Sequence, residues 1–558
     1  MKISKTHLNI HTSHYLICHP EIEGDRFVIG EALCEEAQHL PENSIVAPIV
    51  FSKDKRIFFA GGDFLPYSHL PMPWKSGQLW IGQVPENTEV GFVPLYCFLI
   101  PKKLYEKLDP PPFFGDNIVK HGEFVMRAKE EGAKCFVTPN VHIVWPYAYK
   151  PKKGQKNWEK VVRKSLDKFK KKWAKTLDMK YRLPVVVQSI ITFAGGYNLH
   201  SYNVLLSLFK KKIRTYYQFI GGTNEDEGES DCSFIDDYKT RYGSMRYPQI
   251  TICHGTNNFK NSSDFKIGFS TTEVSGIPGN WVKCFNEMDE VWVTSEFAKK
   301  AFVDSGVIKP VYVIGEGVNP DYFHPKIAPF ATPPKEKFRF FSNFAWGKRK
   351  GVDVLFKAFR QEFDKTEDVC LMLKVLKSYH GHKIKDEIKL LYQRKEAAPV
   401  HIYEIEVEKH ELGRLYNMAN VFVWPSRGEG YGLPAIEALA CGLPVIASNH
   451  SAHLEFLLKD KKPLPGVLLL DGKVEEYVKG DSIYYPGFDW FNPSVPHLRK
   501  LMRYSFENYK KLRKEALESS KYIRDNFHWG VSTDRIIKRL EDIYSKQWQR
   551  YGDHFSKD

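Results

Sequence analysis

The chain has 558 residues, and its 81 lysines and arginines against 67 aspartates and glutamates give a net charge of +14. At roughly 150 residues per domain, this length predicts three or four domains. Hydrophobic residues make up 42% and charged residues 27%, which excludes a mainly disordered chain. The positive charge suits a polyanion such as nucleic acid, anionic lipid or a phosphorylated small molecule.

Targeting signals and cysteine motifs are missing from the sequence. The N-terminal stretch MKISKTHLNIHTSHYLICHPE has no apolar run of signal-peptide length. No segment approaches the ~20 apolar residues of a membrane span. The nine cysteines form no C-x-x-C pair, which argues against a zinc site or a disulfide framework. We therefore expect a cytoplasmic protein.

Residues 1–145 predict an accessory α/β region. SIVAPIVFSKDKRIFFAGGDF is typical of a strand, a turn and a strand, and FLIPKKLYEKL of a strand followed by a helix. GEFVMRAKEEGAK predicts a further helix.

Residues 146–183 predict a basic linker helix. A Pro/Lys/Gly connector leads into a segment whose apolar residues recur every three or four positions, which is helical periodicity. These residues are Trp158, Val162, Leu166, Phe169, Trp173 and Leu177. Such a helix either packs against its own protein with its lysines in water or lies peripherally on an anionic membrane. We favour the first interpretation.

Two successive α/β domains follow, over residues 184–325 and 326–540, before a tail at 541–558. In both, apolar strand-like runs alternate with helix-like segments, which predicts parallel sheets covered by helices on both faces. Two such domains facing each other leave a cleft at the carboxyl ends of their strands, where ligands usually bind in open α/β sheets.

The most informative stretch is VFVWPSRGEGYGLPAIEALACGLPVIAS, residues 421–448. It predicts a buried strand, a glycine-rich loop and a helix with Pro434 in its first turn. The N–H groups and positive dipole end of that helix suit a phosphate or a polar sugar. Glu429 in the loop and Glu437 on the helix can accept hydrogen bonds from two hydroxyl-bearing parts of one ligand.

This stretch resembles the E-x7-E signature of retaining glycosyltransferase family 4, which has the GT-B fold. The resemblance extends over residues 184–540. It implies that Glu429 meets hydroxyls of the donor sugar and that Glu437 binds the ribose of the nucleotide. It also implies that the loop amides of Gly430, Tyr431 and Gly432 approach the sugar and phosphate. The alternative is a pair of glutamates on a solvated helix face, which the flanking residues disfavour.

A second stretch, FFSNFAWGKRKGVDVLFKAF, resembles the basic loop of the same family. The resemblance implies that Lys350 places its cation on the nucleotide diphosphate, with Arg349 beside it. A fixed cation there lowers the barrier by countering the charge that develops on the leaving group. Many members carry an additional arginine about five residues earlier, where this chain has Ala345.

In the first α/β domain, Gly195 and Gly196 resemble the glycine loop that approaches the donor phosphates. His254 follows a strand where relatives carry a histidine near the transferred sugar, and a structural histidine is the open alternative. Glu273 lies in a stretch resembling one subgroup, where it either shapes the acceptor site or caps a helix. Ser295 is predicted to be a helix N-cap.

Part of residues 1–145 resembles the acceptor-side end of a family 2 glycosyltransferase with the GT-A fold. Gly122-Glu123 and Arg127 correspond to its Glu-Asp pair and following arginine, with Glu123 as the candidate base. Glu21 stands in place of the metal-binding aspartate. The nucleotide-binding units that should precede it are missing, so we expect a truncated accessory piece. An unrelated α+β domain is the alternative.

Together these motifs predict a GT-B protein with a partial GT-A-like N-terminal region. The predicted activity is retaining glycosyl transfer without a metal ion or cofactor, from a UDP- or GDP-sugar to a hydroxyl of a glycan, lipid-linked or protein acceptor. The predicted catalytic residues are Glu429, His254, Lys350 and Arg349. The alternatives are a nucleotide-sugar epimerase and a carbohydrate-binding protein with a retired site. No motif supports binding of nucleic acid.

Overall fold

The chain forms two compact units, one mainly of residues up to 182 and one mainly of later residues. The computed structural model describes residues 7–9, 13–73, 75–76, 78–84, 86–93, 96–108, 118–146, 156–190, 196–220, 243–255, 261–376, 396–405, 407–476 and 486–548. Within these residues, no helix combines the length and apolarity that crossing a bilayer requires.

The first unit is built on a mixed seven-stranded sheet. Across the sheet its strands are His7–Asn9, His14–Cys18, Cys97–Pro101, Ser44–Ser52, Lys134–Trp145 and Thr88–Val90, with Ile57–Phe59 paired to Ser44–Ser52. Ser44–Ser52 and Lys134–Trp145 run parallel, and the other pairings are antiparallel. A separate hairpin pairs Gly62–Phe64 with Pro71–Pro73.

Among the described residues of this unit, four helices accompany the sheet: Arg26–Ala37, Lys102–Leu108, Ile118–Glu130 and Lys156–Asp178. The last of them is the helix predicted between residues 146 and 183. Its residues Phe169, Trp173 and Leu177 are buried in the hydrophobic core of the first unit. This part of the helix therefore packs against its own protein. The predicted GT-A-like character of the region stays a prediction.

The second unit contains two six-stranded sheets. Across the first, the strands are Ile213–Phe219, Arg182–Ser189, Gln249–Ile252, Lys266–Ser270, Glu290–Val293 and Val311–Val313. Its pairings from Arg182–Ser189 onward are parallel. The helices following its strands are Gly196–Lys210, Gly279–Asn286 and Glu296–Asp304. The hydroxyl of Ser295 accepts a hydrogen bond from the Ala298 amide at 3.0 Å, which confirms the predicted N-cap.

The second sheet is parallel throughout. Across it the strands are Val400–Tyr403, Val369–Leu376, Phe338–Ala345, Val421–Trp424, Val445–Ser448 and Val467–Leu470. Short antiparallel pairs join Leu458–Lys459 to Lys462–Pro463 and Gly472–Glu476 to Asp489–Pro493. Its helical segments are Lys348–Lys350, Val352–Glu362, Lys409–Glu411, Leu412–Met418, Leu433–Ala440, Leu454–Leu457, Val495–Glu507 and Tyr509–Asn526.

The apolar runs of the sequence explain this architecture. Every residue of Val421–Trp424 and Val445–Ser448 is buried, as expected for central strands of a parallel sheet with both faces covered. The predicted fold class, two α/β domains with parallel sheets, is confirmed for this part of the chain.

The predicted boundary at residue 540 falls inside the helix Trp529–Trp548. This helix returns to the first of the two parallel sheets. Arg539 Nη2 lies 2.6 Å from Glu290 Oε2, and the Ser532 hydroxyl donates to the Glu316 carbonyl at 2.9 Å. Ile536, which lies on the same helix, is fully buried. The first α/β domain thus includes residues from the far end of the sequence.

Candidate active site

Two neighbouring parallel strands of the second sheet bring the predicted basic loop and glycine loop together. Phe338–Ala345 leads to the turn Lys348–Lys350, and Val421–Trp424 leads to the glycine loop. Gly351 closes the turn with a φ of +70°, and a Cβ there would lie 1.9 Å from the Pro425 carbonyl oxygen. The turn and the loop therefore pack backbone against backbone.

Lys350 and Glu429 form the centre of this junction. The Lys350 ammonium lies 2.8 and 2.9 Å from the two carboxylate oxygens of Glu429. The Ser426 hydroxyl donates to Glu429 Oε1 at 2.5 Å, and the Glu429 amide donates to the Ser451 hydroxyl at 2.7 Å. Glu429 is only 4% exposed, so its carboxylate is buried and fixed in position, while the Lys350 side chain is 14% exposed.

Arg349 joins the same cluster from the side. Its Nη1 lies 3.3 Å from Glu429 Oε2 and donates to the Gly428 carbonyl at 2.7 Å, while its Nη2 lies 3.6 Å from Glu273 Oε1. Burial by itself raises the pKa of Glu429, but the cations of Lys350 and Arg349 outweigh burial and lower this pKa to about 2. The carboxylate of Glu429 is therefore charged throughout the neutral range.

A buried arginine that the sequence did not single out supports this cluster. Arg427 forms two parallel bonds with the Asp353 carboxylate, at 2.8 and 2.9 Å, and donates to the Lys348 carbonyl at 2.6 Å. Its amide donates to the Arg349 carbonyl at 2.7 Å. Bidentate pairs of this kind fix geometry as well as charge. The sequence signal was an acidic residue in the first turn of the helix Val352–Glu362 and a basic residue opening the glycine loop.

Glu437 lies in a different environment on the helix Leu433–Ala440. The Tyr416 hydroxyl donates to Glu437 Oε2 at 2.7 Å, and Asn343 Nδ2 donates to the same hydroxyl at 3.3 Å. Glu437 is 6% exposed. Burial raises the pKa of Glu437 to about 8, against smaller opposing effects of Tyr416 and Lys374. At neutral pH this carboxyl is mostly protonated in the unliganded protein.

The glycine loop also contacts the carboxyl edge of the first parallel sheet. The Gly430 carbonyl accepts hydrogen bonds from the hydroxyls of Thr271 and Thr294, at 2.9 and 2.5 Å. A Cβ at Gly430 would lie 2.6 Å from Thr271 Cγ2, and one at Gly428 would lie 1.9 Å from the Glu273 carbonyl oxygen. Glycine is thus required because the two α/β domains meet at this loop. An approach of its amides to a sugar or phosphate stays a prediction.

The rest of the loop has clear local roles. Gly432 has a φ of +95°, a left-handed conformation that favours glycine, and it precedes the helix Leu433–Ala440. Tyr431 is buried, with its ring 5.3 Å from that of Phe456. Tyr431 therefore anchors the loop in the core of the second α/β domain.

His254 lies among aromatic rings near the same edge. Its ring centroid is 4.3 Å from that of Tyr197 and 5.1 Å from that of Trp281. Burial lowers the pKa of His254, and the charge of Glu273 opposes that shift. The Tyr197 hydroxyl lies 2.9 Å from the Ser270 hydroxyl. This environment fits a structural histidine as well as a catalytic one, and the catalytic role stays a prediction.

The structure therefore brings some of the predicted residues together and separates others. Arg349, Lys350 and Glu429 form one cluster with Glu273, whereas Glu437 hydrogen-bonds to Tyr416. Gly196 is the first residue of the helix Gly196–Lys210, and Gly195 lies outside the described residues. Ala345 is exposed at the end of its strand.

The two candidate carboxylates of the first unit lie at its surface, and Arg127 is half-buried. The Glu123 side chain is 49% exposed, with its Oε1 3.9 Å from the Lys172 ammonium. Arg127 donates to the Leu108 carbonyl. The Glu21 side chain is 46% exposed and lies 3.9 Å from His19. Their predicted roles in a GT-A-like site stay predictions.

Comparison with known families identifies the segment that contains the ion-paired cluster. Residues 325–480 match the profile of the family described as "Glycosyl transferases group 1". This segment holds Arg349, Lys350, Glu429 and Glu437. This segment of the chain is therefore similar to the glycosyl transferases of group 1.

Individual relatives are similar to the chain over limited lengths. A D-inositol 3-phosphate glycosyltransferase of Arthrobacter is 32% identical over 127 residues, 23% of this chain and 30% of that protein. A probable sucrose-phosphate synthase of Thermosipho melanesiensis is 23% identical over 219 residues, 36% of this chain and 48% of that protein. The chain spans less than half of the length of the curated relatives it matches. Among solved structures, sucrose-phosphate synthase from Thermosynechococcus elongatus aligns with 65% of this chain and 100% of its own, at 16% identity and a TM-score of 0.48.

Proposed function

We propose that this protein is a glycosyltransferase that moves a sugar from a nucleotide-diphosphate donor to a hydroxyl of a glycan or lipid-linked acceptor. The observation that carries the proposal is the buried cluster of Lys350, Arg349 and Glu429 within the glycosyl transferases group 1 segment. In the proposed reaction the anomeric configuration is retained and no metal ion takes part.

The cluster suggests how a donor enters. In the unliganded protein, Glu429 neutralises Lys350 and Arg349, and Glu273 lies near Arg349. The diphosphate of a donor is an alternative anion for the two cations. Once it displaces the carboxylate from them, Glu429 is free to accept hydrogen bonds from the hydroxyls of the transferred sugar. One site thus exchanges an internal ion pair for contacts with both halves of the donor.

Catalysis follows from where the cations lie. When the bond between the sugar and the diphosphate breaks, negative charge grows on the leaving oxygen. Lys350 and Arg349 are already held in place, so they stabilise this charge without reorganisation at the moment of reaction. The diphosphate itself takes the acceptor proton on the same face of the sugar, in line with the proposed retention. His254 and Glu273 are proposed to lie on the acceptor side of the sugar.

Glu437 is proposed to hold the ribose of the donor nucleotide. A protonated carboxyl both donates and accepts a hydrogen bond, which matches the paired hydroxyls of a ribose. The contact with Tyr416 at 2.7 Å orients the carboxyl before a ligand arrives.

The test is a donor screen on the full chain. Thermal shifts are measured with UDP-, GDP- and ADP-sugars, since a ligand at about 100 times its Kd stabilises the folded state by roughly 2.7 kcal/mol. The stabilising donor is then incubated with candidate acceptors, and release of nucleotide diphosphate and the anomeric configuration of the product are measured with and without EDTA.

The proposal predicts acceptor-dependent release that EDTA does not reduce and that gives a product with the anomeric configuration of the donor. Conversion of the donor into a different nucleotide sugar without acceptor would instead identify an epimerase. Binding of a donor without any turnover across the acceptor panel would identify a carbohydrate-binding protein with a retired site. An inverted product or loss of turnover in EDTA would overturn the retaining, metal-independent part alone.

A peripheral contact with anionic membrane is a separate part of the proposal. Lys168, Lys171 and Lys175 are exposed on the helix Lys156–Asp178. Sedimentation with anionic vesicles should then weaken steeply with salt, because charges are screened beyond about 8 Å at physiological ionic strength. Equal recovery with anionic and neutral vesicles at low salt would remove the membrane contact and leave the packing role.

A further inference from the structure

Three side chains with metal-binding donors meet at the amino-terminal edge of the second parallel sheet. Glu336 precedes the strand Phe338–Ala345, Cys370 lies in the adjacent strand, and His401 lies in the strand beyond it. One donor atom from each lies within 4.8 Å of the other two. The residues are more than 30 positions apart in sequence, so only the sheet brings them together.

The carboxylate of Glu336 is the unusual member of this cluster. Its Oε2 lies 2.9 Å from His401 Nε2. Its Oε1 is buried without a hydrogen-bond partner among the described residues, and Glu336 as a whole is 5% exposed. Buried carboxylate oxygens are nearly always paired, since leaving one unpaired is costly. Besides His401, the carboxylate has the weakly donating thiol of Cys370 as a neighbour, so this oxygen is available to a ligand that both side chains could share.

We propose that Glu336, Cys370 and His401 form a binding site for a divalent transition metal of the zinc class. Thiolate, imidazole and carboxylate are the three protein ligands that zinc uses, and three of them with one further position is a common set. Bond lengths of about 2.0–2.3 Å place neighbouring zinc ligands roughly 3.3–3.8 Å apart. Binding a metal would therefore open the 2.9 Å hydrogen bond between Glu336 and His401 slightly, with loss of its proton, and needs only small shifts among donors that lie within 4.8 Å of one another. Water supplies the fourth ligand.

Two of the three side chains are buried and the third is partly exposed. Cys370 is fully buried and the Glu336 side chain is 6% exposed, whereas the His401 side chain is 36% exposed. A metal can thus enter from the side of His401. The nearby Arg339 donates to the main-chain carbonyls of Met418 and Glu336, both at 2.6 Å, so its cation is held by the backbone.

The site is separate from the candidate active site. Strands of the second sheet run from this edge towards Lys350 and Glu429, which lie beyond their carboxyl ends. A metal here would join three neighbouring strands at their beginnings. Its role would therefore be structural, and it is compatible with glycosyl transfer that needs no metal at the reacting atoms.

The test uses the full chain after treatment with a chelator. Zn²⁺ alone is titrated while the melting temperature and bound metal are measured, and Co²⁺ alone is used as a spectroscopic probe. We expect one Zn²⁺ per chain, a rise in melting temperature, and a sulfur-to-cobalt charge-transfer absorption that requires a thiolate ligand. Absence of both the rise and the absorption would overturn the proposal.

Variants locate the metal. Cys370→Ser should abolish the cobalt absorption, whereas Cys135→Ser, a change at another fully buried thiol, should leave it intact. His401→Ala serves if Cys370→Ser fails to fold, because His401 is partly exposed, and it should weaken Zn²⁺ binding at least about tenfold. Cobalt absorption and Zn²⁺ affinity that stay unchanged in His401→Ala would place the metal elsewhere and overturn the proposal.

Discussion

The surroundings of Glu429 and Glu437 differ sharply although the two residues are eight positions apart in one motif. Both are over nine-tenths buried, at 4% and 6% exposure. The pKa of Glu429 is lowered to about 2 because the nearby cations outweigh the effect of burial. The pKa of Glu437 is raised to about 8 because the opposing effects of the Tyr416 hydroxyl and the charge of Lys374 are smaller than that of burial. Equal burial thus gives opposite charge states, and the partner decides which one forms.

The two carboxyls also affect stability in opposite pH ranges. Glu429 binds its proton less readily in the folded state, so its stabilising contribution is present above its ordinary pKa of 4.5 and is lost as pH falls towards 2. Glu437 binds its proton more readily in the folded state, so the protein loses stability as pH rises from 4.5 to about 8. The fold thus stabilises one carboxyl in its charged form and retains the other at a cost in stability.

The largest expected effect concerns Lys350, which is paired with the charged carboxylate of Glu429. Lys350→Ala should lower kcat about 10²- to 10³-fold, equivalent to about 2.7–4 kcal/mol, because the charge on the leaving diphosphate loses a fixed cation. Initial rates with the identified donor measure this. The matched control is Lys348→Ala, a change at an exposed lysine of the same turn, which should keep near-normal turnover. Normal turnover in Lys350→Ala would mean that this junction is not the donor site.

The next effect tests the raised pKa of Glu437. Glu437→Gln should raise the free energy of unfolding by about 3 kcal/mol at pH 7, because an amide removes the cost of the shifted pKa, and the gain should vanish near pH 4.5. Urea unfolding at several pH values measures this. Glu437→Ala, which removes both the donor and the acceptor, should weaken binding of the nucleotide diphosphate in isothermal titration, whereas Glu437→Gln, which keeps one of each, should bind it nearly as well as the wild type. A stability gain that does not change with pH would contradict the raised pKa of Glu437.

A smaller effect should come from the pair that joins the basic turn to the glycine loop. Arg427→Lys keeps the charge but loses the two parallel bonds to Asp353, so we expect a loss of about 1.5–3 kcal/mol in stability and a higher KM for the donor. The control Arg414→Lys changes an arginine paired with Glu411. It should leave KM unchanged. An equal rise in KM in both variants would assign the effect to general loosening of the domain.

The smallest effect concerns a carboxylate that is not buried. Glu123 is half-exposed with a lysine 3.9 Å away. Glu123→Gln should therefore change kcat, and likewise the ratio of folded to unfolded protein, by no more than about twofold. Steady-state kinetics of the full chain measure this. A large loss of kcat would indicate that the first unit takes part in catalysis, with Glu123 as the base.

Much of this architecture could be predicted from the sequence because the signals were local. Apolar runs before glycine turns located the buried strands, and Ser295 located a helix start. The contact between Lys350 and Glu429 was only implied, since the two lie 79 positions apart and meet through strand pairing. The mostly neutral state of Glu437 at pH 7 could not be predicted from the sequence, because it depends on how deeply the carboxyl is buried in the folded chain.

Other contacts were beyond any local pattern. Glu336, Cys370 and His401 share no motif spacing, so a search for paired cysteines could not find them. The glycines of the loop were attributed to a ligand, whereas Gly428 and Gly430 are also required by the close approach of Glu273 and Thr271. A requirement for glycine looks the same in a sequence whether a phosphate or another backbone occupies the space.

The returning helix Trp529–Trp548 has a consequence for how the protein is made. Glu290 and Ile536 belong to one α/β domain, but a ribosome completes them about 250 residues apart. At roughly 5–20 residues per second, the first parallel sheet waits many seconds for its last helix. During that interval its surface is uncovered, so nascent chains should need protection from aggregation until the helix Trp529–Trp548 has been made. The chain therefore cannot be divided between its two α/β domains without leaving one of them incomplete.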